Sequence, residues 1–312
     1  MDRAKIGIIG AGVIAKAHIE ALATNRAAIV AGVVSRGYSS AIELATEFDT
    51  MAFRSVSEML EATTLDGLVI AVNVEQTAAV VEECLTFNLK ILAEKPIALD
   101  LERADRLVRL AKGASSDIFV AHNRRFYQST VKLIDELQGI NSQRSVVVFD
   151  QEDPKEAIDV FGEAPSVAAK SMYANSIHQI DFFNIICRGE IINVDVIEPW
   201  SGSETRSVVA KISYDSGDSG IYIAAWSRPG PWSVQVFTDE RFFQMAPVEE
   251  LSAQSRFTRV KETLAEEKGP VKPGFEGQAH NFVSACLGEA HGLVSLSESH
   301  RTMQLISKIY AE

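Results

Sequence analysis

The sequence is poor in cysteine, with only Cys84, Cys187 and Cys286 in 312 residues. Their odd number, their wide spacing and the lack of a C-x-x-C pair argue against a disulfide framework and against a zinc site. We therefore expect no bound metal, and the cysteine usage fits a protein of the reducing cytoplasm.

Positive charge and long apolar runs are also scarce. The chain has 30 Lys and Arg against 42 Asp and Glu, a formal net charge of −12. Because phosphate binding needs a basic face, this balance argues against a nucleic-acid partner. No apolar run approaches the roughly 18–20 residues that span a bilayer, so no membrane association is expected. Hydrophobic residues make up 46%, and the length allows two domains with their own cores.

A glycine-rich loop follows the first apolar run of the chain, residues 6–9. Gly10, Gly12 and Ala15 occupy the G-x-G-x-x-G/A positions of a strand-turn-helix unit that binds dinucleotides. The first glycine permits the tight turn, the second lets the backbone approach a pyrophosphate, and the helix N-terminus favours its charge. The loop residues expected to bind the cofactor are Gly10, Gly12, Val13 and Ile14.

Two other interpretations of this segment stay open at this point. Residues 1–5 resemble the charged leader of a signal peptide, residues 6–14 its apolar core, and residues 15–17 a cleavage site. The second interpretation is a turn of an ordinary α/β protein that binds no ligand. Both interpretations are disfavoured if the chain continues as alternating strands and helices.

That alternation continues to about residue 122. Strands are predicted over 27–34, 51–53, 68–71, 90–93 and 118–121, and helices over 39–48, 55–60, 77–87 and 101–112. The pattern is typical of a doubly wound, mostly parallel sheet, so we assign a dinucleotide-binding Rossmann domain to residues 1–122.

Residues 123–312 follow a different pattern and form the predicted α+β substrate-binding and oligomerisation domain, with an open and largely antiparallel sheet. Strands are predicted over 146–149, 192–197, 206–214, 221–226, 232–237 and 241–245, with a hairpin around 215–220. Four helices are predicted, over 129–137, around residue 178, over 275–287 and over 297–310. Residues 151–168 contain charges together with Pro154, Gly162 and Pro165, and are interpreted as a loop over the active-site mouth. Trp226 and Trp232 are interpreted as packing on the sheet.

Three motifs together give the chain a family resemblance: the glycine loop, the Glu94-Lys95-Pro96 turn and the segment from Ser176 to Asp181. With them the chain resembles the Gfo/Idh/MocA family of NAD(P)-dependent sugar and cyclitol oxidoreductases. The resemblance implies hydride transfer between nicotinamide and a hydroxyl or carbonyl carbon of a small polyol or sugar. We also expect a homodimer or homotetramer, with another subunit covering one face of the sheet.

The resemblance also implies catalytic roles. Lys95 would contact the reacting hydroxyl and assist proton transfer, and Glu94 would hold that lysine in place. Because Glu94 ends a strand at the cofactor crevice, it is also expected to bind the cofactor. His178 and Asp181 match the end of the family's Asp-x-x-x-His-x-x-Asp pattern and lie one helical turn apart. Ala174 replaces the first aspartate, which puts the acid-base scheme in doubt. The substrate contacts expected around these residues are Arg125, Tyr173 and Asn175.

The cofactor itself is expected to be NADP(H) more readily than NAD(H). Ser35 and Arg36 end the second strand, where an NAD enzyme would place an acidic residue for the ribose hydroxyl. A hydroxyl and a guanidinium suit a 2′-phosphate instead, although Arg36 could also stack on adenine in an NAD enzyme. Asn73, after the fourth strand, is expected to hydrogen-bond the nicotinamide ribose or amide.

Two alternatives to a sugar dehydrogenase remain. The missing aspartate would suit a catalytically weak, cofactor-binding sensor or regulator with the same fold. Transient oxidation could also drive another step, such as glycoside cleavage.

Overall fold

The computed structural model describes residues 3–311 and divides them into two compact units. The first unit contains the chain as far as Phe126 together with Gly269–His300. The second contains Tyr127–Lys268 and the chain from Arg301 onward. A segment near the end of the sequence therefore belongs to the first unit.

The elements alternate regularly up to Phe126 and less regularly afterwards. The leading part contains β1 (Ala4–Ile9), α1 (Val13–Ala23), β2 (Ala28–Val34), α2 (Tyr38–Glu47), β3 (Ala52–Phe53), α3 (Val56–Ala62), β4 (Gly67–Ile70), α4 (Val74–Cys84), β5 (Lys90–Glu94), α5 (Leu101–Ala111) and β6 (Asp117–Ala121). The remainder contains α6 (Gln128–Leu137), β7 (Ser145–Glu152), α7 (Pro154–Asp159), α8 (Pro165–Ala168), α9 (Ser171–Ala174), α10 (Ile177–Ile186), β8 (Ile191–Glu198), β9 (Ser207–Tyr214), β10 (Ser219–Trp226), β11 (Ser233–Phe237), β12 (Arg241–Met245), β13 (Glu250–Ser255), β14 (Glu262–Glu266), α11 (Phe275–Cys286), β15 (Val294–Ser295) and α12 (Leu296–Tyr310).

The first unit is built on a seven-stranded sheet in the order β15-β6-β5-β4-β1-β2-β3. Strands β1 to β6 pair in parallel, and β15 adds an antiparallel edge through Val294 opposite Val120. Because helices cover parallel sheets on both faces, the central residues of the strands are apolar, and Ile6 and Ile8 are fully buried. The doubly wound Rossmann sheet predicted from the sequence is confirmed.

Helix α11 returns from the far end of the chain to pack closely on this sheet. A Cβ atom at Gly67 would lie 2.8 Å from the Phe282 ring and 2.7 Å from Cys286 Sγ, so the strand admits only glycine there. Phe275 and Phe282 are buried in the core of the first unit. The sequence predicted this helix but not the unit to which it belongs.

The second unit is built on an eight-stranded sheet in the order β14-β13-β12-β11-β7-β10-β9-β8. β7 and β10 pair in parallel, and every other neighbouring pair is antiparallel. Alternate residues are buried, as in β9, where Val208, Ala210, Ile212 and Tyr214 point to the core. The largely antiparallel second sheet and the β9–β10 hairpin are both confirmed.

Three parts of the second unit differ from the prediction. Residues 151–168 are not a loop, because they contain α7 and α8, each with a proline in its first turn. Proline is compatible with that position and is a poor sign of a loop there. The helix α9 and the strands β13 and β14 were also missed, since they are short and carry mixed polar and apolar residues.

None of the helices within residues 3–311 combines the length and the apolar character that crossing a bilayer requires.

Candidate functional site

The turn after β1 has the backbone that the glycine pattern predicts. Gly10 has a φ of +122°, and a Cβ there would overlap the Ala71 carbonyl oxygen, so only glycine fits. Gly12 caps α1 without any side-chain hydrogen bond, and a Cβ there would meet nothing within 4 Å. The start of α1 is thus open to a ligand, with its backbone N–H groups and positive dipole end.

A cavity of about 560 Å³ surrounds this turn. It brings together seven of the eight predicted cofactor residues: Gly10, Gly12, Val13, Ile14, Ser35, Arg36 and Asn73. Ser40, Gln76 and Val80 also line it and were missed, because only the packing of α2 and α4 against the loop places them there. The volume falls in the usual range for cofactor sites, and the loop and helix start suit a pyrophosphate. The residues present therefore fit a dinucleotide.

The two ends of this cavity have different polar groups. Near the end of β2, Ser35, Arg36 and Ser40 line it, and the described lining contains no Asp or Glu. At the other end Asn73 caps α4, with its Oδ1 accepting the Glu75 N–H at 3.1 Å. This cap leaves the Nδ2 group of Asn73 as a donor for the predicted contact with the nicotinamide ribose or amide.

Glu94 and Lys95 lie at the carboxyl end of β5, the edge where ligands bind in open α/β sheets. Glu94 does not line the cavity; its Oε1 lies 2.7 Å from His18 Nε2 and its Oε2 accepts the Lys95 N–H at 3.2 Å. Burial raises the pKa of Glu94, but the His18 hydrogen bond and the charges of His18, Lys95 and Lys272 outweigh it and lower the pKa. Glu94 is therefore an anion held against Lys95.

Two further residues, His18 and Lys272, form a cluster with Glu94 and Lys95 and were not predicted as part of the site. His18 lies on α1, is only 2% exposed and packs against the Phe275 ring at 4.8 Å between centroids. The Lys272 ammonium lies 5.0 Å from the same ring, and burial lowers its pKa although Glu94 acts in the opposite direction. The sequence gives no signal for this cluster, since its members are far apart along the chain.

Arg125 and His122 follow β6 and are fixed by residues near the start of α12. Arg125 Nη1 donates to Glu298 Oε1 at 3.4 Å, and His122 Nε2 lies 2.8 Å from Ser299 Oγ. Burial raises the pKa of Glu298, but hydrogen bonds from Ser295 and the Arg125 charge lower it overall. Arg125 is thus held by a carboxylate in its own unit.

In the second unit, α10 carries the predicted histidine and aspartate. His178 is half-buried near the start of the helix, whereas Asp181 is only 3% exposed. The Thr302 hydroxyl donates to Asp181 Oδ1 at 2.8 Å and accepts from Asn184 Nδ2 at 2.8 Å. Part of the hydrogen-bonding capacity of Asp181 is therefore used by Thr302, which lies in the same unit. The sequence did not predict this partner.

Of the remaining predicted substrate contacts, Tyr173 is fully buried in α9, whereas Asn175 is half-buried and lines a second cavity of about 380 Å³. This cavity lies within the second unit, and we call it the acidic cavity. Its lining includes Gln151, Glu152, Asp153, Glu156, Phe161, Asn175, Trp232 and Glu249. Trp232 therefore does more than pack on the sheet, whereas Trp226 is buried as predicted.

Metal ligands are not grouped in the part of the chain that the structure describes. No cluster of three or more His, Cys, Asp or Glu side chains suited to a metal occurs within residues 3–311.

Comparison with known proteins gives a consistent picture. Residues 4–122 match the Gfo/Idh/MocA family, described as an oxidoreductase family with an NAD-binding Rossmann fold. The chain is 26% identical to inositol 2-dehydrogenase of Rhizobium meliloti over 221 residues, which cover 70% of this chain and 62% of that protein. It is 33% identical to glucose-6-phosphate 3-dehydrogenase of Bacillus subtilis over 133 residues, covering 43% and 37%. These alignments thus span less than two thirds of either relative.

A solved structure extends the likeness to the whole fold. UDP-N-acetylglucosamine 3-dehydrogenase from Acidithiobacillus ferrooxidans superposes with a TM-score of 0.81 at 19% identity, covering 99% of this chain and 97% of that one. At this identity the match concerns the fold alone. All three of these proteins are named as dehydrogenases, which gives the sensor or regulator alternative no support.

Proposed function

We propose, from the premise that the chain belongs to the Gfo/Idh/MocA oxidoreductase family through residues 4–122, that it is an NAD(P)-dependent dehydrogenase or reductase. Its substrate would be a sugar, a sugar derivative or a cyclitol, oxidised or reduced at a hydroxyl or carbonyl carbon. The observation that carries this proposal is the 560 Å³ cavity around the glycine turn, at the carboxyl edge of the parallel sheet.

The protein is proposed to bind NADP(H) more readily than NAD(H). Ser35, Arg36 and Ser40 line the cavity, and its described lining contains no carboxylate to bind a ribose 2′-hydroxyl. A guanidinium and two hydroxyls instead provide donors for a 2′-phosphate. The Gly10–Gly12 turn and the start of α1 would hold the pyrophosphate.

Lys95 is proposed as the proton-transfer group. When bound, the nicotinamide accepts or supplies the hydride; the protein must move the proton of the same hydroxyl. An ammonium stabilises a developing alkoxide. The Glu94 carboxylate accepts the backbone N–H of Lys95 and so helps to fix the turn that carries this lysine.

The second unit is proposed to supply substrate contacts. His178 would bind a substrate hydroxyl and share the acid-base work, with Asp181 supporting it through the charge of a buried carboxylate. Tyr173 and Asn175 precede the same helix, and Asn175 lines the acidic cavity. Arg125 is proposed as a further substrate contact, because residues 122–126 resemble a family segment in which the arginine lies near the substrate.

Assembly and location are proposals as well. On the outer face of the second sheet, Val147, Phe149, Ile221 and Ile223 are only half-buried within one chain, which supports a homodimer or homotetramer. Light scattering after size exclusion would test this. Cys84, Cys187 and Cys286 are free thiols, which supports a reducing, cytoplasmic location.

The function is tested by a turnover screen on the purified protein. Cofactor binding is followed by quenching of tryptophan fluorescence, and reaction by the absorbance of reduced nicotinamide. The screen covers sugars, amino sugars, sugar phosphates and cyclitols with NADP⁺ and NAD⁺, and the matching ketones with the reduced forms. We expect turnover of at least one polyol, with most of it lost in Lys95→Ala. Tight cofactor binding without turnover in either direction would contradict the proposal.

A further inference from the structure

We propose that the acidic cavity selects the substrate, and that this substrate is a monosaccharide or cyclitol carrying a protonated amine. The assignment of the cavity as a substrate site rests on the proposed function. The amine goes beyond it, because nothing in the family fold requires a charged substrate.

The cavity has the position and size of a small-ligand site. It is formed where β7 ends, where α7 begins and where α9 ends, and Asn175 lies two residues before α10, the helix that carries His178. Its volume of about 380 Å³ is near the lower end of the range for ligand pockets, which suits a single ring rather than a nucleotide sugar.

The charge of the cavity has one sign. Its described lining contains Glu152, Asp153, Glu156 and Glu249 and no Lys, Arg or His. Glu152 is only 4% exposed, and its Oε1 accepts a hydrogen bond from Ser176 Oγ at 3.1 Å. A carboxylate so buried is screened little by solvent, so a cation in the cavity would be attracted more strongly than at the protein surface.

The backbone N–H groups at the start of α7, which could otherwise bind an anion, are already hydrogen-bonded. The Asp153 carboxylate caps α7 by accepting the N–H groups of Lys155 at 3.0 Å and Glu156 at 3.3 Å. The nearest helix start is therefore already occupied by a negative group. Lys155 itself is paired with Asp159 on the exposed side of α7. A sugar phosphate would meet repulsion from the lining with no guanidinium or ammonium in it to offset the charge.

Two aromatic rings complete the cavity. Trp232 is fixed because its Nε1 donates to the Gln151 carbonyl at 2.9 Å, and Phe161 remains 72% exposed at the cavity. An exposed phenylalanine and an anchored indole together provide apolar faces for a ring. Such faces also attract an ammonium through the quadrupole of the ring. Aromatic faces with carboxylates around them therefore favour an amine-bearing ring over its uncharged counterpart.

The test measures binding first and turnover second. Isothermal titration calorimetry of the cofactor-loaded protein would use glucosamine, galactosamine and an aminodeoxy-scyllo-inositol as probes. The references are the parent sugars and scyllo-inositol, the N-acetylated amines, which keep the nitrogen but lose its charge, and glucose 6-phosphate. We expect at least one amine to bind about tenfold or more tightly than its parent and its N-acetyl form. This preference should shrink in about 1 M NaCl, where the Debye length falls to about 3 Å.

Variants locate the effect. Glu156→Gln and Glu249→Gln should each weaken amine binding several-fold and weaken binding of the uncharged parent by a smaller factor. Glu250→Gln is the matched control, since Glu250 is exposed, adjacent in sequence and absent from the cavity lining. An effect of Glu250→Gln as large as that of Glu249→Gln would overturn the proposal.

The outcomes separate this inference from the proposed function. Turnover of uncharged sugars with no binding preference for amines overturns the inference and leaves the dehydrogenase in place. Preferential amine binding that depends on Glu156 and Glu249, without turnover of any compound, supports the inference and contradicts the dehydrogenase. Tighter binding of glucose 6-phosphate, or no binding of any probe, overturns the inference.

Discussion

His18 Nε2 and Glu94 Oε1 lie 2.7 Å apart, which ties the first helix of the Rossmann unit to the motif at the end of β5. The second oxygen of the same carboxylate accepts the Lys95 N–H. A histidine on the cofactor-loop helix therefore fixes the residue next to the proposed proton-transfer group. We regard His18 as a positioning residue for Lys95.

His18→Ala should lower kcat/KM by about 10–100-fold, because small displacements of a catalytic group cost rates of this order. The lost hydrogen bond was lowering the pKa of Glu94, so the acid limb of the pH profile should move to higher pH. His18→Gln should restore part of the rate. His280→Ala is the control, since His280 is exposed and lies near Thr24. An unchanged pH profile in His18→Ala would remove the positioning role.

Arg36→Ala should weaken NADPH binding by about tenfold or more and leave NADH binding nearly unchanged, because the proposed contact between the guanidinium and the 2′-phosphate would be lost. Fluorescence titration with both cofactors measures this directly. Arg26→Ala serves as the control, since Arg26 is exposed and does not line the cofactor cavity. Equal affinities for the two cofactors in wild type and variant would contradict the proposed preference.

Lys95→Ala should retain cofactor affinity and lose most turnover, by roughly 10²–10⁴-fold, as expected for the loss of a positioned proton-transfer group. Lys90→Ala should keep full activity, because Lys90 lies at the start of β5, the strand that Lys95 follows, in a surface pair with Asp117. If Lys95→Ala stays within a few-fold of wild type on the true substrate, another group transfers the proton.

His178→Asn should lower kcat/KM strongly and change its pH dependence, since asparagine preserves a hydrogen bond but does not titrate. Ala174→Asp restores the carboxylate that the family pattern has one turn earlier. We expect it to raise the rate if the half-buried position accepts the charge. Steady-state kinetics across pH measure both variants. Unchanged kinetics and pH profile in His178→Asn would make this histidine structural.

Asp218→Asn should destabilise the second unit by about 2–3 kcal/mol, because the buried carboxylate accepts hydrogen bonds from the Arg188 side chain and from backbone N–H groups of Arg144 and Arg188. Burial raises the pKa of Asp218, but these contacts outweigh it and lower the pKa. A lowered pKa in the folded state stabilises it above pH about 4, the ordinary aspartate value, and the contribution disappears at lower pH.

Urea unfolding at pH 7 and near pH 3 checks the Asp218 prediction. The difference in unfolding free energy between wild type and Asp218→Asn should narrow at the lower pH. Asp195→Asn, at an exposed position of β8, should show no difference at either pH. A gap that is constant with pH would mean that the carboxylate charge is not what stabilises this site.

The parts of the molecule that sequence predicted well depend on neighbours along the chain. The glycine turn sets its own backbone, and the residues after β1, β2 and β4 reach one cavity because parallel strands end at the same edge. The contacts that the sequence did not predict join segments that are distant along the chain, such as His18 with Glu94 or Asp181 with Thr302. No local pattern encodes these pairs.

Composition also misled at particular residues. Pro154 and Pro165 suggested a loop but occupy first turns, where a missing N–H costs nothing. Trp232 lies next to a strand, and this position suggested that its ring packs on the sheet. Its ring instead lines a cavity together with Gly230 and Glu249, which belong to neighbouring turns. Whether a side chain packs or lines a cavity depends on turns that the strand itself does not specify.

The return of α11 and β15 to the first sheet has a consequence for synthesis of the protein on the ribosome. The core of the first unit is complete only after Phe282 and Val294 have been synthesised, well after the chain up to Phe126. At ordinary translation rates this interval is roughly ten to thirty seconds. Throughout it, the surface around Gly67 that α11 will cover remains open to water. A nascent chain halted between these two points would be a substrate for chaperones that bind exposed apolar surface.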